Sequence, residues 1–226
     1  MIYFNTTTKE RLKLKTKLIS ETIGTLFLLL IVVGSGIMGE NLTENKAVVL
    51  LANSIATAFG LIVLIWSFGP HSGAHFNPAV SILMMFLGKL TKQDMLFYVL
   101  CQLIGGVLGV IFANMIFDLD IISISDNKRL TSGIFVSEII ATFGLLITIL
   151  LLSKQKTEMV APAVGLYIGA AYWFTSSTSF SNPAVTIART LSNTFTGIIP
   201  SDVISFIFAQ LIGTLIVYFL YKHVYE

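Results

Sequence analysis

Charge is what this chain has least of. Only 12% of its 226 residues are Asp, Glu, Lys or Arg, whereas an ordinary soluble domain carries about 25%. With 55% of the residues apolar, a water-soluble monomer is excluded. Cysteine is nearly absent. Cys101 stands alone, so no intrachain disulfide or multi-thiolate metal site can form, and the thiol reads as a small packing residue. A net charge of +2 is too weak to imply a nucleic-acid partner.

What is present is apolar residue in long runs, enough for about six crossings of ~20 residues each, with nothing left over for a soluble domain. The spans read as about 18–38, 47–69, 95–117, 134–152, 159–176 and 201–221. The first follows a basic leader, residues 1–17, with Lys9, Arg11, Lys13, Lys15 and Lys17. A signal peptide does not fit, because the run holds Glu21, lacks a small-residue cleavage site and exceeds an ordinary h-region of about 7 to 15 residues. Six spans put both termini on one side. That side collects ten of the 14 basic residues, while Lys46, Lys128 and Arg129 lie opposite and Arg189 falls at membrane depth. By the positive-inside rule the termini are cytoplasmic, with the chain expected in the cell inner (plasma) membrane.

The chain also repeats itself. Ser20-Glu21-Thr22-Ile23-Gly24-Thr25 recurs as Ser137-Glu138-Ile139-Ile140-Ala141-Thr142, Asn77-Pro78-Ala79-Val80 as Asn182-Pro183-Ala184-Val185, and Gln102-Leu103-Ile104-Gly105 as Gln210-Leu211-Ile212-Gly213. The offsets are 117, 105 and 108 residues, so order is kept and only the connections differ. Repeat 1 covers about 18–117 and repeat 2 about 134–222, within one domain of 18–222. Three spans per repeat is an odd number, so the second copy sits inverted in the membrane.

Each Asn-Pro-Ala opens about 11 small or apolar residues, ending near Gly88 and Phe195, which span only ~16 Å. Asn at an N-cap followed by Pro at the first helical position is a strong start signal. Two half-spanning helices are thus expected to begin at the bilayer centre, which is tolerable only where backbone is buried in protein or lines a wet cavity. The fold class is an all-α membrane protein with six transmembrane helices, two half-spanning helices and an inverted three-helix repeat.

Two symmetric Asn-Pro-Ala copies, the first in Gly73-Ala74-His75-Phe76-Asn77-Pro78-Ala79-Val80, with Glu21 and Glu138 at equal places in the repeats, resemble the aquaporin (major intrinsic protein) family. The resemblance covers about residues 18–222. It implies a homotetramer in the lipid bilayer with one pore per subunit, passive flux of water and small neutral solutes, no cofactor, no catalytic residue and no enzyme chemistry. The pore motifs would be Asn77, Pro78, Ala79 and Asn182, Pro183, Ala184, each Asn capping its own half-helix while its amide N–H groups stay free in the lumen. Backbone carbonyls of 70–76 and 176–181 would line the path. Glu21 and Glu138 would brace the loops by accepting their N–H groups, and His75 would brace through its ring.

One departure matters. Water-selective members of the family carry Arg directly after the second Asn-Pro-Ala, and here that residue is Val185. The filter loses a fixed charge and a donor, so a wider and less polar constriction is expected. By alignment to the family pattern the filter is Val185, Ser179, Phe59 and Tyr172, with Ala170 as the substitute for Tyr172. The stretch from Gly165 to Arg189 is similar to a bacterial aquaglyceroporin-like branch linked to arsenical permeation, which implies arsenite or antimonite, as neutral hydroxides, beside glycerol. Arg189, one turn after Val185, stands in the vestibule. It reads either as a displaced filter arginine or as a cap on carbonyls, or partner of Asp118, Asp120 or Asp126.

Other residues are read blandly. His71 and His75 invite a pH-gate idea, against which simple loop bracing is set. The methionines do not converge on one helix face, so no metal site is expected. Glycines such as Gly105, Gly109 and Gly213 suit close helix packing. A proton-coupled transporter would also use inverted repeats. A strict water pore, or a non-conducting junctional protein of the same fold, are the other readings. Short connections offer no adhesive surface and favour a conducting channel.

Overall fold

The computed structural model describes residues 6–225, with side chains from residue 13 onward. Lys9 and Arg11 of the leader therefore lie outside the described side chains. Eight α-helices make up this part of the chain: α1 (Thr6–Leu42), α2 (Lys46–Ser72), α3 (Pro78–Phe86), α4 (Lys92–Ile116), α5 (Ser132–Gln155), α6 (Val160–Phe174), α7 (Pro183–Ala188) and α8 (Pro200–Val224). Their starts follow from local chemistry. Asn45 accepts from the N–H groups of Ala47 and Val48, Thr91 from Asp94, and Thr131 from Ile134, while Pro200 opens α8 at a position where the N–H it lacks would have had no helical partner.

Five helices carry apolar stretches long enough to cross a membrane: Lys13–Leu42 within α1, and α2, α4, α5 and α8. The sixth, α6, has 15 residues, about 22 Å, and is led in by a 3-10 turn at Thr157–Met159. Large exposed apolar side chains such as Leu96, Leu166, Ile204 and Phe219 cover the outside, as a lipid-facing surface allows. The chain is a multi-pass membrane protein.

Packing follows the sequence repeat. Helix α1 lies against α2 and α4, α5 lies against α6 and α8, and α2 meets α6 to join the halves. The short α3 and α7 each pack on α4 and α8 and touch one another. Glycine sets how closely the halves close. A Cβ added at Gly105 would sit 2.3 Å from the Thr22 carbonyl oxygen, and at Gly109 2.3 Å from that of Leu26, so α1 and α4 are in backbone contact. Gly213 holds α8 to α5 in the same way, 2.8 Å from the Ile139 carbonyl.

Three boundaries differ from the expectation. Helix α1 begins well before residue 18, because the basic leader simply continues it beyond the apolar run. Helix α2 runs through Pro70 to Ser72, which leaves only 73–76 as the first irregular loop. Proline removes one helical bond, and the turn still closes because Gly73, with φ +89°, donates back to the Gly69 carbonyl. Helix α7 has six residues and one 3-10 turn, Arg189–Leu191, so it stops short of Phe195. Its last carbonyls are taken by the α4–α5 connection: Ser125 N–H donates to Thr190 and Ser123 N–H to Leu191, joined by the Asn114 amide.

Replacing Gly105→Val should force α1 and α4 apart and cost about 1–3 kcal/mol. Gly133→Ala, where the nearest atom is 3.8 Å away, should be neutral. Thermal unfolding of the detergent-solubilised protein checks this; equal midpoints for the two variants would contradict the backbone contact.

Candidate functional site

The two Asn-Pro-Ala segments meet where α3 and α7 begin. Each asparagine splits its amide between two tasks. Asn77 Oδ1 accepts from Ala79 N–H at 2.8 Å, capping α3, while its Nδ2 donates to the Ser181 carbonyl at 2.7 Å. Asn182 Oδ1 caps α7 through Ala184 N–H at 3.0 Å and Val185 N–H at 3.3 Å, and its Nδ2 donates to the Phe76 carbonyl at 2.8 Å. The expectation that both amide hydrogens stay free is therefore corrected. One hydrogen of each asparagine locks the opposite loop, and one is left for the cavity, since an amide nitrogen has two.

The loops entering these caps are backbone that cannot satisfy itself. Ala74, Phe76, Ser179 and Ser181 all have φ between 46° and 52°, the left-handed region that costs a non-glycine residue about 1 kcal/mol or more. Two fully buried carboxylates hold them. Glu21 accepts from Ser72 Oγ at 2.6 Å, His75 N–H at 2.9 Å, Phe76 N–H at 2.8 Å and Gln102 Nε2 at 2.8 Å. Glu138 accepts from Phe180 N–H at 2.9 Å, Ser181 N–H at 2.9 Å and Gln210 Nε2 at 2.7 Å, with the Ser177 hydroxyl making the counterpart of the Ser72 bond. With every neighbour a donor, an acceptor-only carboxylate fits both places.

Gln102 and Gln210 extend the brace. Each also donates to the half-helix it faces, Gln102 to Ser81 Oγ at 3.0 Å and Gln210 to Thr186 Oγ1 at 2.9 Å. The repeat exposed these glutamines in the sequence without giving their role. His75 Nδ1 pairs with the same Ser81 Oγ at 3.0 Å, and its ring meets Tyr98 edge-on at 5.2 Å. His71 is exposed.

A cavity of about 470 Å³ runs past the junction. It is lined by both asparagines and by Val80 and Val185, with Trp66, Ser153 and Glu158 on the terminus side, and Tyr172, Ser179, Phe180 and Arg189 on the other. Most of its wall is apolar, from Leu28, Val32, Leu61, Val164 and Ile168. Of the four filter positions read from the sequence, Val185, Ser179 and Tyr172 line this cavity, and Phe59 does not. Phe59 is 63% exposed and borders an outer groove with Phe27 and Val63. Helical phase explains the error, because Thr57 and Leu61 line the cavity and a residue two steps from each points about 200° away. Thr57 holds Tyr172 at 3.2 Å between hydroxyls, whereas Ala170 is exposed.

Arg189 is 3% exposed. Its Nε donates to the Thr196 carbonyl and its guanidinium lies 3.6 Å from the Phe180 ring centroid. It meets a carbonyl and a ring rather than Asp118, Asp120 or Asp126. Two neighbours escaped the sequence reading. Phe180 occupies the repeat position of His75, where the two halves diverge. Arg129, counted only as a loop cation, reaches in to donate to the carbonyls of Gly197 and Phe195, both at 2.6 Å, with its guanidinium 5.3 Å from the Phe180 centroid.

Glu138→Leu should strand three N–H donors in the core and cost about 3–5 kcal/mol, as breaking a buried charged network does. Unfolding of the purified variant with unchanged stability would remove the bracing role.

Residues 8–179 match the family described as MIP, major intrinsic protein. The chain is 47% identical over 200 residues, 88% of its length and 86% of the relative's, to "Aquaglyceroporin AqpS" of Rhizobium meliloti (strain 1021). It is 32% identical to "Aquaporin NIP1-2" of Arabidopsis thaliana over 165 residues, which is 68% of this chain and 54% of that protein. In fold it is similar to the crystal structure of the aquaglyceroporin from Plasmodium falciparum, with a TM-score of 0.74 at 22% identity, covering 94% of this chain and 97% of that one. With a family match over most of its length and paired Asn-capped half-helices at its centre, the chain belongs to the major intrinsic protein family.

Proposed function

We propose that the chain is a passive channel for water and small neutral solutes of the glycerol type, excluding protons and ions. The observation that carries this reading is the asparagine pair on the cavity wall, each amide with one hydrogen committed and one free. A water at that point accepts from both asparagines. Its own hydrogens then point outward along the pore, so the hydrogen-bonded file reverses and a proton cannot hop through. The dipoles of α3 and α7, whose positive ends meet at this point, oppose cations.

The wall decides what else passes. Val185 contributes neither charge nor donor, and an apolar wall with a few hydroxyls and carbonyls suits a solute with both CH and OH edges. Neutral hydroxides of arsenic and antimony have the same character and are included in the proposed substrate class. The pore motifs are Asn77, Pro78, Ala79, Asn182, Pro183 and Ala184. The filter residues are Val185, Ser179 and Tyr172, with Thr57 in the place first given to Phe59. Glu21, Glu138 and His75 support the loops. The chain works as one channel domain, about 18–222, without enzyme chemistry, as a homotetramer in the plasma membrane with cytoplasmic termini. The ten basic residues on the terminus side support that orientation.

Reconstituted vesicles test the reading. Water, glycerol and arsenous acid should all cross faster than in empty vesicles. Fast osmotic shrinkage without glycerol entry would leave a strict water pore, and no excess permeability of any kind would leave a non-conducting member of the fold. Val185→Arg should lower the glycerol-to-water permeability ratio by about ten-fold, the effect of about 1.4 kcal/mol at a narrow point. An unchanged ratio would remove Val185 from the constriction.

A further inference from the structure

The lumen has lost its charge at residue 185, yet a guanidinium still lines it. Arg189 lies four residues further along the same segment, about 6 Å nearer the mouth, at the first residue of the 3-10 turn that ends α7. It is 3% exposed and lines the cavity. Its Nε is bound to the Thr196 carbonyl, and among the described residues its two Nη groups have no hydrogen-bond partner. The nearby buried acid, Glu138, is already saturated by its own donors.

The surroundings are built for a cation. Three consecutive carbonyls, Phe195, Thr196 and Gly197, all turn onto guanidinium groups, the outer two onto Arg129 and the middle one onto Arg189. Phe180 offers its ring to both, at 5.3 Å and 3.6 Å. Asp202 fixes the strand of chain that delivers Arg129, accepting from the N–H groups of Arg129 and Leu130 at 2.8 and 2.9 Å. Two like charges are thus held side by side by carbonyl dipoles and a ring face, while the carboxylates at the same loops, Glu40 on the Phe195 N–H and Asp202 on the Arg129 N–H, bind backbone rather than either guanidinium. Burying a charge without a countercharge is costly, so this arrangement is more than a cap on a loop.

Resting on the channel reading above, we infer that Arg189, rather than the residue after the second Asn-Pro-Ala, supplies the fixed charge of the outer constriction and sets its discrimination against cations. Val185 then forms an apolar step below it. Solutes meet donors first and an apolar wall second.

The experiment is uptake of guanidinium and glycerol into proteoliposomes held at a set potential. Wild-type protein should take up glycerol and exclude guanidinium. Arg189→Leu should raise guanidinium uptake relative to glycerol by about ten-fold or more, as expected for loss of a unit charge from the cavity wall at an effective dielectric of about 20. Arg189→Lys should keep the exclusion. Arg189→Gln keeps a donor for the Thr196 carbonyl without the charge, and it decides the matter where the Leu variant carries no glycerol and has misfolded. A guanidinium-to-glycerol ratio within two-fold of wild type in the neutral variants would overturn the inference and leave the channel reading standing. Absence of glycerol uptake by the wild type would instead overturn the channel reading itself.

Discussion

Everything at the centre of this molecule depends on how irregular backbone is satisfied at mid-membrane. Lipid offers no hydrogen bonds, so each exposed N–H or carbonyl there would cost several kcal/mol. The chain answers with two buried carboxylates, each fed by donors from an entering loop, and two asparagines that cap their own helices and clasp the opposite loop. The clasp is reciprocal: Asn77 holds Ser181, and Asn182 holds Phe76. Neither half can set its loop alone, which ties the duplicated sequence to a single shared site.

The repeat is what made this legible. Glu21 with Glu138, Asn77 with Asn182 and Gln102 with Gln210 recur at matching places, and in the structure each pair makes matching bonds. Capping chemistry at Asn-Pro located both half-helix starts to the residue. Periodicity served less well where the question was which face of a helix looks inward. Thr57 and Phe59 are two residues apart in an apolar run, and nothing in that run marks one as lumenal. The early end of α7 and the inward reach of Arg129 both come from the α4–α5 connection, whose pairing with 190–199 is a tertiary event with no local signal.

In the proposed channel, divergence between the halves carries the selectivity. His75 on one side answers to Phe180 on the other, and the ring of Phe180 sits beneath two arginines that have no counterpart in the first repeat. One end of the lumen is therefore electrostatically dressed, while the middle is kept open by small side chains and paired donors. Scarcity of charge elsewhere serves the same end. A wall of Leu28, Val32, Leu61 and Val164 offers an ion nothing in place of its water, whereas a neutral polyol gives up far less.

The central claim is that the asparagine clasp lets neutral molecules through and breaks the proton path. It is tested most directly by measuring glycerol entry and proton entry in one vesicle preparation, with an internal pH dye and an imposed pH gradient. The account predicts glycerol entry well above that of empty vesicles, rising with protein content, and proton entry no different from empty vesicles. Proton entry that rises in step with glycerol entry would contradict it.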